Sequence, residues 1–372
     1  NVTGLFKSES SVRVEDIIAF STLWNYSQKI LVLVGECKPN TIDQQWIDEL
    51  ASHPSVVVLT ETTSNLHHPD FINNIDTLIT PFTDKEFAEL QPRVLITFGG
   101  MIVSKRIKAF LRKYKPRHHW HIDELRAYDT FGILTKHFTV APNQFFKQFL
   151  PHVKVVESNY KAFVQTIRNQ RISKHHEYLA NIPFSDLKAF ENILAALPGN
   201  TQLQVSNSSA IRYAQLFDID PSIEVFCNRG TSGIDGSTST AIGAAVASNK
   251  QTTLITGDIG FLYDSNALWN NYIPKHFKII LINNGGGGIF RILPGHQENE
   301  TFHTYFETSH CLTAEHLATM YRFNYLTAAD ETTLNAGLKQ LFANNDQPAI
   351  LEVFTPTRDN NKLLLDYFKA LV

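Results

Sequence analysis

Residues 257–293 read GDIGFLYDSNALWNNYIPKHFKIILINNGGGGIFRIL, and how this stretch is read decides the fold. It opens with Gly257-Asp258 directly after the apolar run Thr252–Thr256 (TTLIT). It closes with Asn283, Asn284 and four glycines directly after a second run, Lys278–Ile282 (KIILI). Both runs are short, β-branched and bounded by turn residues, which predicts buried strands of a parallel sheet. The residues between them suffice for one helix and the crossover that parallel neighbours require. Asp258 and Asn284 are therefore expected at the carboxyl ends of strands roughly 5 Å apart if adjacent. Open α/β sheets bind ligands at that edge. A carboxylate and an amide oxygen beside backbone bare of side chains suit a hard cation such as Mg2+ carrying a diphosphate. Asp and Asn are also ordinary turn formers. The glycine run, however, is entropically costly, and a ligand pressed against the backbone would explain it.

Working outward, the second half supplies more strand ends of this kind. Gln202–Val205 leads into Asn207-Ser208 and a helix carrying Arg212, and Glu224–Cys227 leads into Asn228-Arg229-Gly230. A Gly/Ser/Thr-rich turn, 230–242, feeds a helix over Ala241–Ala247, and Ala349–Phe354 is a further strand. Asn207, Ser208, Arg229, Ile234, Asp258, Asn284 and Gly286 thus lie just past strand ends that line one crevice in a doubly wound sheet. The first half shows strands over Ile30–Val34, Val56–Thr60, Val94–Phe98, Trp120–Asp123 and Phe138–Val140, alternating with helical patterns. The expected fold is α/β, with two doubly wound domains whose mainly parallel sheets are flanked by helices. The polar helix ending near Ile182-Pro183 marks the boundary: a first domain over 1–175, a linker over 176–184 and a second domain over 185–372.

Two features of the first half carry less than they suggest. The histidines of Arg117-His118-His119-Trp120-His121 alternate across a strand and have no carboxylate or cysteine at ligand spacing. Gly99-Gly100 lacks the G-x-G-x-x-G spacing and reads as tight-turn packing. Lys105-Arg106 is different, because two cations at a helix N-terminus oppose the helix dipole and hint at an anionic partner.

The 372 residues suit two domains, each with its own core. A formal net charge of −3 argues against a nucleic-acid surface. Cys37, Cys227 and Cys311 are widely spaced and odd in number, which predicts buried or half-buried free thiols in a reducing compartment. No apolar stretch is long enough to span a bilayer. The N-terminus has neither the basic nor the apolar region of a signal peptide. The expected location is the cytoplasm.

The pattern of GD, some two dozen residues and NN resembles the motif of the thiamine-diphosphate enzymes, the decarboxylase and transketolase-like family. The resemblance is closest to the branch that joins 2-oxoglutarate to isochorismate in menaquinone biosynthesis. It is carried by Asn228–Gly236 (NRGTSGIDG), by Leu262, Tyr263, Asp264, Asn266 and Leu268 after GD, and by IF and LP after NN. It implies thiamine diphosphate (thiamine pyrophosphate) and Mg2+ or Mn2+ as cofactors, with the metal on Asp258, Asn284 and the Gly286 carbonyl. Gly257 would lie beside the cofactor, and Ile234 would be the apolar wedge that bends it. Substrate carboxylates would meet Lys105, Arg106, Arg212 and Arg229 with Asn207 and Ser208 beside them, and Ile289, Phe290 and Leu293 would form an apolar wall. Arginine can hold a carboxylate bidentately.

The implied reaction is a transferase step. It decarboxylates 2-oxoglutarate and adds the succinyl-semialdehyde carbanion equivalent to isochorismate in a 1,4 sense. The family also places an activating glutamate on an N-terminal pyrimidine-binding domain, contributed across a homo-oligomer, a homodimer or tetramer. That domain is expected to be absent from these residues. No catalytic residue is therefore assigned here, and the chain alone is expected to be inactive. The alternatives are an acetolactate-synthase-like carboligase acting on pyruvate, and a non-catalytic cofactor-binding scaffold.

Overall fold

The computed structural model describes residues 11–292, 297, 299–343 and 346–372. The chain falls into two compact units, 1–173 and 174–372. The division lies inside a helix, Tyr160–Leu179, so residues 176–179 are its last turn.

The first unit is built on β1 (Ile30–Val34), β2 (Val56–Leu59), β3 (Val94–Phe98), β4 (His118–Ile122) and β5 (Lys136–Phe138). Their order is β2-β1-β3-β4-β5 and every pairing is parallel. Parallel strands need helical crossovers on both faces, so central strands are apolar throughout. Accordingly β1 is buried along its whole length. Ile30, Val32 and Val34 pack with Trp24, Trp120 and Phe149 on one face. Leu31 and Leu33 pack with Ile107, Phe110 and Tyr160 on the other. The alternation is that of a pleated strand whose successive side chains point to opposite faces.

At the carboxyl edge of β1 and β3, a Cβ on Gly35 would lie 2.2 Å from the Gly100 carbonyl oxygen, and Gly99 has φ +81°. The glycines let two loops touch. In the histidine run, the Thr97 hydroxyl lies 2.8 Å from both His119 Nε2 and His121 Nδ1. A hydroxyl can donate to one ring and accept from the other.

Lys105 and Arg106 are exposed at the start of the helix Lys105–Lys113. Ser104 caps this helix, accepting from Ile107 N. Glu61, 2% exposed, holds the segment before it, accepting from Val103 N and Ser104 N at 2.7 Å each. These bonds compensate the dipole that the two cations oppose. Burial nonetheless outweighs them and pushes the Glu61 carboxyl up to about 7. The native state therefore binds the proton more tightly than the unfolded chain. That stability is fully present below the unfolded value and is lost as pH rises through 7. At about 1.4 kcal/mol per unit the loss reaches roughly 3 kcal/mol. Denaturant unfolding at pH 5 and pH 8 should show this fall in the wild type, and Glu61→Gln, which does not titrate, should flatten it.

The second unit has β6 (Gln202–Val205), β7 (Glu224–Cys227), β8 (Thr252–Gly257), β9 (Phe277–Asn283), β10 (Asn324–Ala328) and β11 (Ala349–Phe354). The order is β10-β11-β9-β8-β6-β7, again all parallel. β8 and β9 are neighbours, with Gly257 opposite Ile282, so Asp258 and Asn284 leave the same edge side by side. From β6 the chain runs outward to β7, and the next strand, β8, lies on the opposite side of β6. The β6/β8 edge is therefore the switch point of the sheet.

Three details differ from the sequence reading. β10 was not anticipated, because NYLTA is an edge strand with only Ala328 buried. The β8–β9 crossover is a six-residue helix, Asp258–Tyr263, followed by a 3-10 turn over Ser265–Trp269. Cys37 and Cys227 are buried, but Cys311 is exposed because it lies in a loop past the sheet edge. No helix among the described residues is long and apolar enough to cross a membrane.

Candidate active site

A cavity of about 260 Å³ opens at the carboxyl ends of β6, β8 and β9. Ile234, Gly257, Asp258, Asn284 and Gly286 all line it, as do Asn207, Ser208, Ile289 and Phe290. Arg212 and Arg229 lie on neighbouring segments outside its lining. Lys105 and Arg106 belong to the first unit, and Leu293 falls outside the described residues.

Asp258 sits at the first helical position after β8 and is 4% exposed. Its Oδ1 accepts from Ile259 N at 2.7 Å. Its Oδ2 accepts from Gly285 N at 2.9 Å and Gly286 N at 3.0 Å. His310 Nε2 is 3.4 Å from Oδ2. Burial pushes this carboxyl up despite those donors and the nearby imidazole. It is a desolvated negative charge with lone-pair capacity left, since a carboxylate offers about four acceptor sites.

The two asparagines have separate work. Asn283 is 6% exposed and structural. Its amide nitrogen donates to the fully buried Glu352 (2.6 Å) and to Leu312 O (2.9 Å). Asn284 donates its amide nitrogen to Asp186 Oδ2 at 2.9 Å, and no described residue donates to its oxygen. Among the described residues the Gly286 carbonyl accepts only from Gly288 N, at 3.0 Å, leaving one lone pair. The donor set available is therefore one carboxylate, one amide oxygen and one carbonyl. Oxygen-only sets of this kind fit Mg2+ or Mn2+. Among the described residues no cluster of three His, Cys, Asp or Glu side chains offers a rival metal site.

Part of the glycine run is accounted for by the fold itself. Gly285 and Gly286 have φ of +77° and +150°, backbone that favours glycine. A Cβ on Gly286 would lie 2.8 Å from the Glu307 carbonyl oxygen, and one on Gly287 would lie 3.2 Å from that of Phe306. Packing of the segment 302–310 against the loop favours glycine at 286 and 287. Glu307, 1% exposed, accepts from Gly287 N at 2.6 Å through its backbone. Its carboxylate meets Arg291 Nε, His303 Nδ1 (2.8 Å) and Ser309 Oγ (3.0 Å).

Around the cavity, Ser208 holds a positive φ of 69°, a strained conformation of the kind that collects at functional sites. Asn207 is 3% exposed. Its amide nitrogen donates to Asn228 O and Gly233 O, and its oxygen accepts from Arg229 Nη1 at 2.8 Å. It thereby pins the loop that carries Ile234. Gly260 lets that loop approach, since a Cβ there would be 3.3 Å from Ile234 O. Asp264, buried, caps the helix Ser237–Ser248 through Ser239 N (2.7 Å) and Ser239 Oγ (2.6 Å). Phe290 meets Phe306 edge-on at 5.9 Å between centroids, giving one apolar side.

Sequence reasoning missed Asp186 and Glu307. Asp186, 3% exposed, lines the cavity, and burial pushes it up to about 6. Nothing in its sequence context marks it beyond the helix N-cap Ser185 beside it. The segment around Glu307 carries no periodic pattern that would have drawn attention to it.

Residues 10–205 match the family described as "Middle domain of thiamine pyrophosphate". Residues 208–353 match "Thiamine pyrophosphate enzyme, C-terminal TPP binding domain". Among curated relatives named 2-succinyl-5-enolpyruvyl-6-hydroxy-3-cyclohexene-1-carboxylate synthase, that of Flavobacterium psychrophilum is 67% identical over 96% of this chain and 65% of its own length. That of Flavobacterium johnsoniae is 62% identical over 100% and 67%. That of Porphyromonas gingivalis is 36% identical over 91% and 60%. The chain thus spans about two thirds of the length of these relatives. On both domain matches and on these identities, the chain belongs to the thiamine pyrophosphate enzyme family, in the branch of the 2-succinyl-5-enolpyruvyl-6-hydroxy-3-cyclohexene-1-carboxylate synthases.

Proposed function

We propose that the second unit holds the diphosphate of thiamine diphosphate through Mg2+ or Mn2+ bound by Asp258, Asn284 and the Gly286 carbonyl. The complete protein then decarboxylates 2-oxoglutarate and adds the remaining four carbons to isochorismate, as a transferase of menaquinone biosynthesis that works as a homo-oligomer. In this reading the first unit is the middle domain and the second the diphosphate-binding domain. What supports it is the convergence of Ile234, Gly257, Asp258, Asn284 and Gly286 on one cavity, with a buried carboxylate among oxygen donors.

When bound, thiamine diphosphate supplies the electron sink for decarboxylation and carbon–carbon bond formation. The residues of this chain do the rest by binding and exclusion. Ile234, on its pinned loop, would press against the cofactor. Ile289 and Phe290 would keep water from the reacting carbon. Arg212 and Arg229, with Asn207 and Ser208 beside them, and Lys105 and Arg106 hold the substrate carboxylates, where guanidinium stays charged even when partly desolvated.

The substrate choice is testable directly. Carbon dioxide release by the complete protein should require 2-oxoglutarate, and product should form only with isochorismate. Turnover of pyruvate in place of 2-oxoglutarate would refute the assignment.

A further inference from the structure

Asp186 is a buried charge at the cavity that the proposed reaction does not use. It stands at the first position of the helix Asp186–Ala195, after the N-cap Ser185, whose hydroxyl accepts from Lys188 N at 3.3 Å. Three further elements converge on it. Asn284 Nδ2 donates to its Oδ2 at 2.9 Å, and Thr355 Oγ1, just past β11, donates to its Oδ1 at 2.5 Å. Its own backbone N–H donates to Asn360 Oδ1, at the start of the helix Asn360–Ala370, at 2.8 Å.

An asparagine side chain offers an oxygen on one side and a nitrogen on the other, and only the oxygen can bind a cation. Nothing in Asn284 itself selects between the two. A carboxylate accepts and never donates when ionised, so the Asp186 bond fixes the nitrogen and leaves the oxygen facing the cavity. Residues that orient a ligand in this way typically change metal affinity 10–100-fold when removed.

We propose that Asp186 is a positioning residue for the cation site: it selects the oxygen face of Asn284. This rests on the reading of Asp258, Asn284 and Gly286 as the metal donors. It goes beyond that reading by tying the ligand's orientation to the helix Asp186–Ala195 and to the segment 355–360.

The test measures Mn2+ binding by electron paramagnetic resonance in the complete protein with thiamine diphosphate present, so that turnover plays no part. Asp186→Ala should weaken Mn2+ binding 10–100-fold. Asp186→Asn brings an amide nitrogen that can itself turn toward Asn284 and donate to its oxygen, so it should recover only part of the affinity lost in Asp186→Ala. Thr355→Val removes the other bond to the carboxylate. It should lower the melting temperature yet leave Mn2+ affinity within about threefold of wild type. In the wild type, the Asn284 side-chain amide protons should be protected from solvent exchange, a readout that needs no variant to fold. Freely exchanging Asn284 amide protons, or wild-type Mn2+ affinity in Asp186→Ala, would overturn the proposal. Weakening by Thr355→Val equal to that by Asp186→Ala would do the same, since it would mean general loosening. Asp258→Ala separates the two levels. If it too binds Mn2+ normally, the donor assignment itself fails; if it alone loses binding, only the role of Asp186 does.

Discussion

Asp258→Ala should weaken Mg2+-dependent binding of thiamine diphosphate by more than about 100-fold, because even residues that merely orient a metal ligand account for 10–100-fold. The carboxylate is 4% exposed, and burial pushes it toward its neutral form despite three backbone N–H donors and the imidazole of His310 nearby. A divalent cation would reverse that penalty, and this is where the binding energy resides. Alanine also takes the side-chain acceptor from Gly286 N and Ile259 N, and leaves Gly285 N only Asn283 Oδ1. Asp258→Asn separates the two effects. It keeps an oxygen for those N–H groups and removes the charge, so it should melt no lower than the wild type without cofactor while losing the cation. Calorimetric titration of the cofactor with and without Mg2+ reads the first outcome, and thermal unfolding reads the second. Affinity within tenfold of wild type for Asp258→Ala would contradict the account.

Arg291→Met should cost about 3–5 kcal/mol of stability, the usual consequence of leaving a buried charge without its partner. Arg291 is 5% exposed and Glu307 1% exposed, and the two are directly paired. Burial alone would raise the Glu307 carboxyl, but Arg291, His303 and Ser309 together hold it below the usual carboxylate range. Its contribution is therefore present at neutral pH and lost as pH falls through the depressed value. For a unit of 150–250 residues each kcal/mol shifts melting by about 2–4 °C, so a fall on the order of 10 °C is expected. The double variant Arg291→Met/Glu307→Leu should recover most of it, since a well-packed apolar pair often replaces a buried ion pair without loss. Melting of Arg291→Met within about 2 °C of wild type would contradict this role. Because Glu307 also accepts from Gly287 N, the single variant should loosen the loop after β9 and weaken cofactor binding with it.

The parts of this molecule legible in the sequence are those set by local chemistry. Continuous apolar runs such as ILVLV at 30–34 and KIILI at 278–282 declare buried parallel strands, because nothing else buries β-branched side chains on both faces. Asp258 and Asn284 were legible because each lies two residues past such a run, and a crossover of that length brings the two ends together. What remained hidden depends on tertiary approach. Asp186 reaches Asn284 from 98 residues away, and no periodicity records that distance. Glu307 lies in a segment whose backbone, not its pattern, does the packing. The four glycines were legible as unusual, but the close approach of the Glu307 carbonyl oxygen, which would lie 2.8 Å from a Cβ on Gly286, was not. The half-exposed strand at 324–328 escaped notice because an edge strand need not be apolar on both faces.

The most direct test of the central claim is a crystal structure of the complete protein with Mg2+ and thiamine diphosphate. The account predicts a metal within about 2.0–2.1 Å of an Asp258 carboxylate oxygen, Asn284 Oδ1 and the Gly286 carbonyl oxygen, with diphosphate oxygens filling other positions. A cofactor bound elsewhere, or a metal held without Asn284 and Gly286, would contradict it.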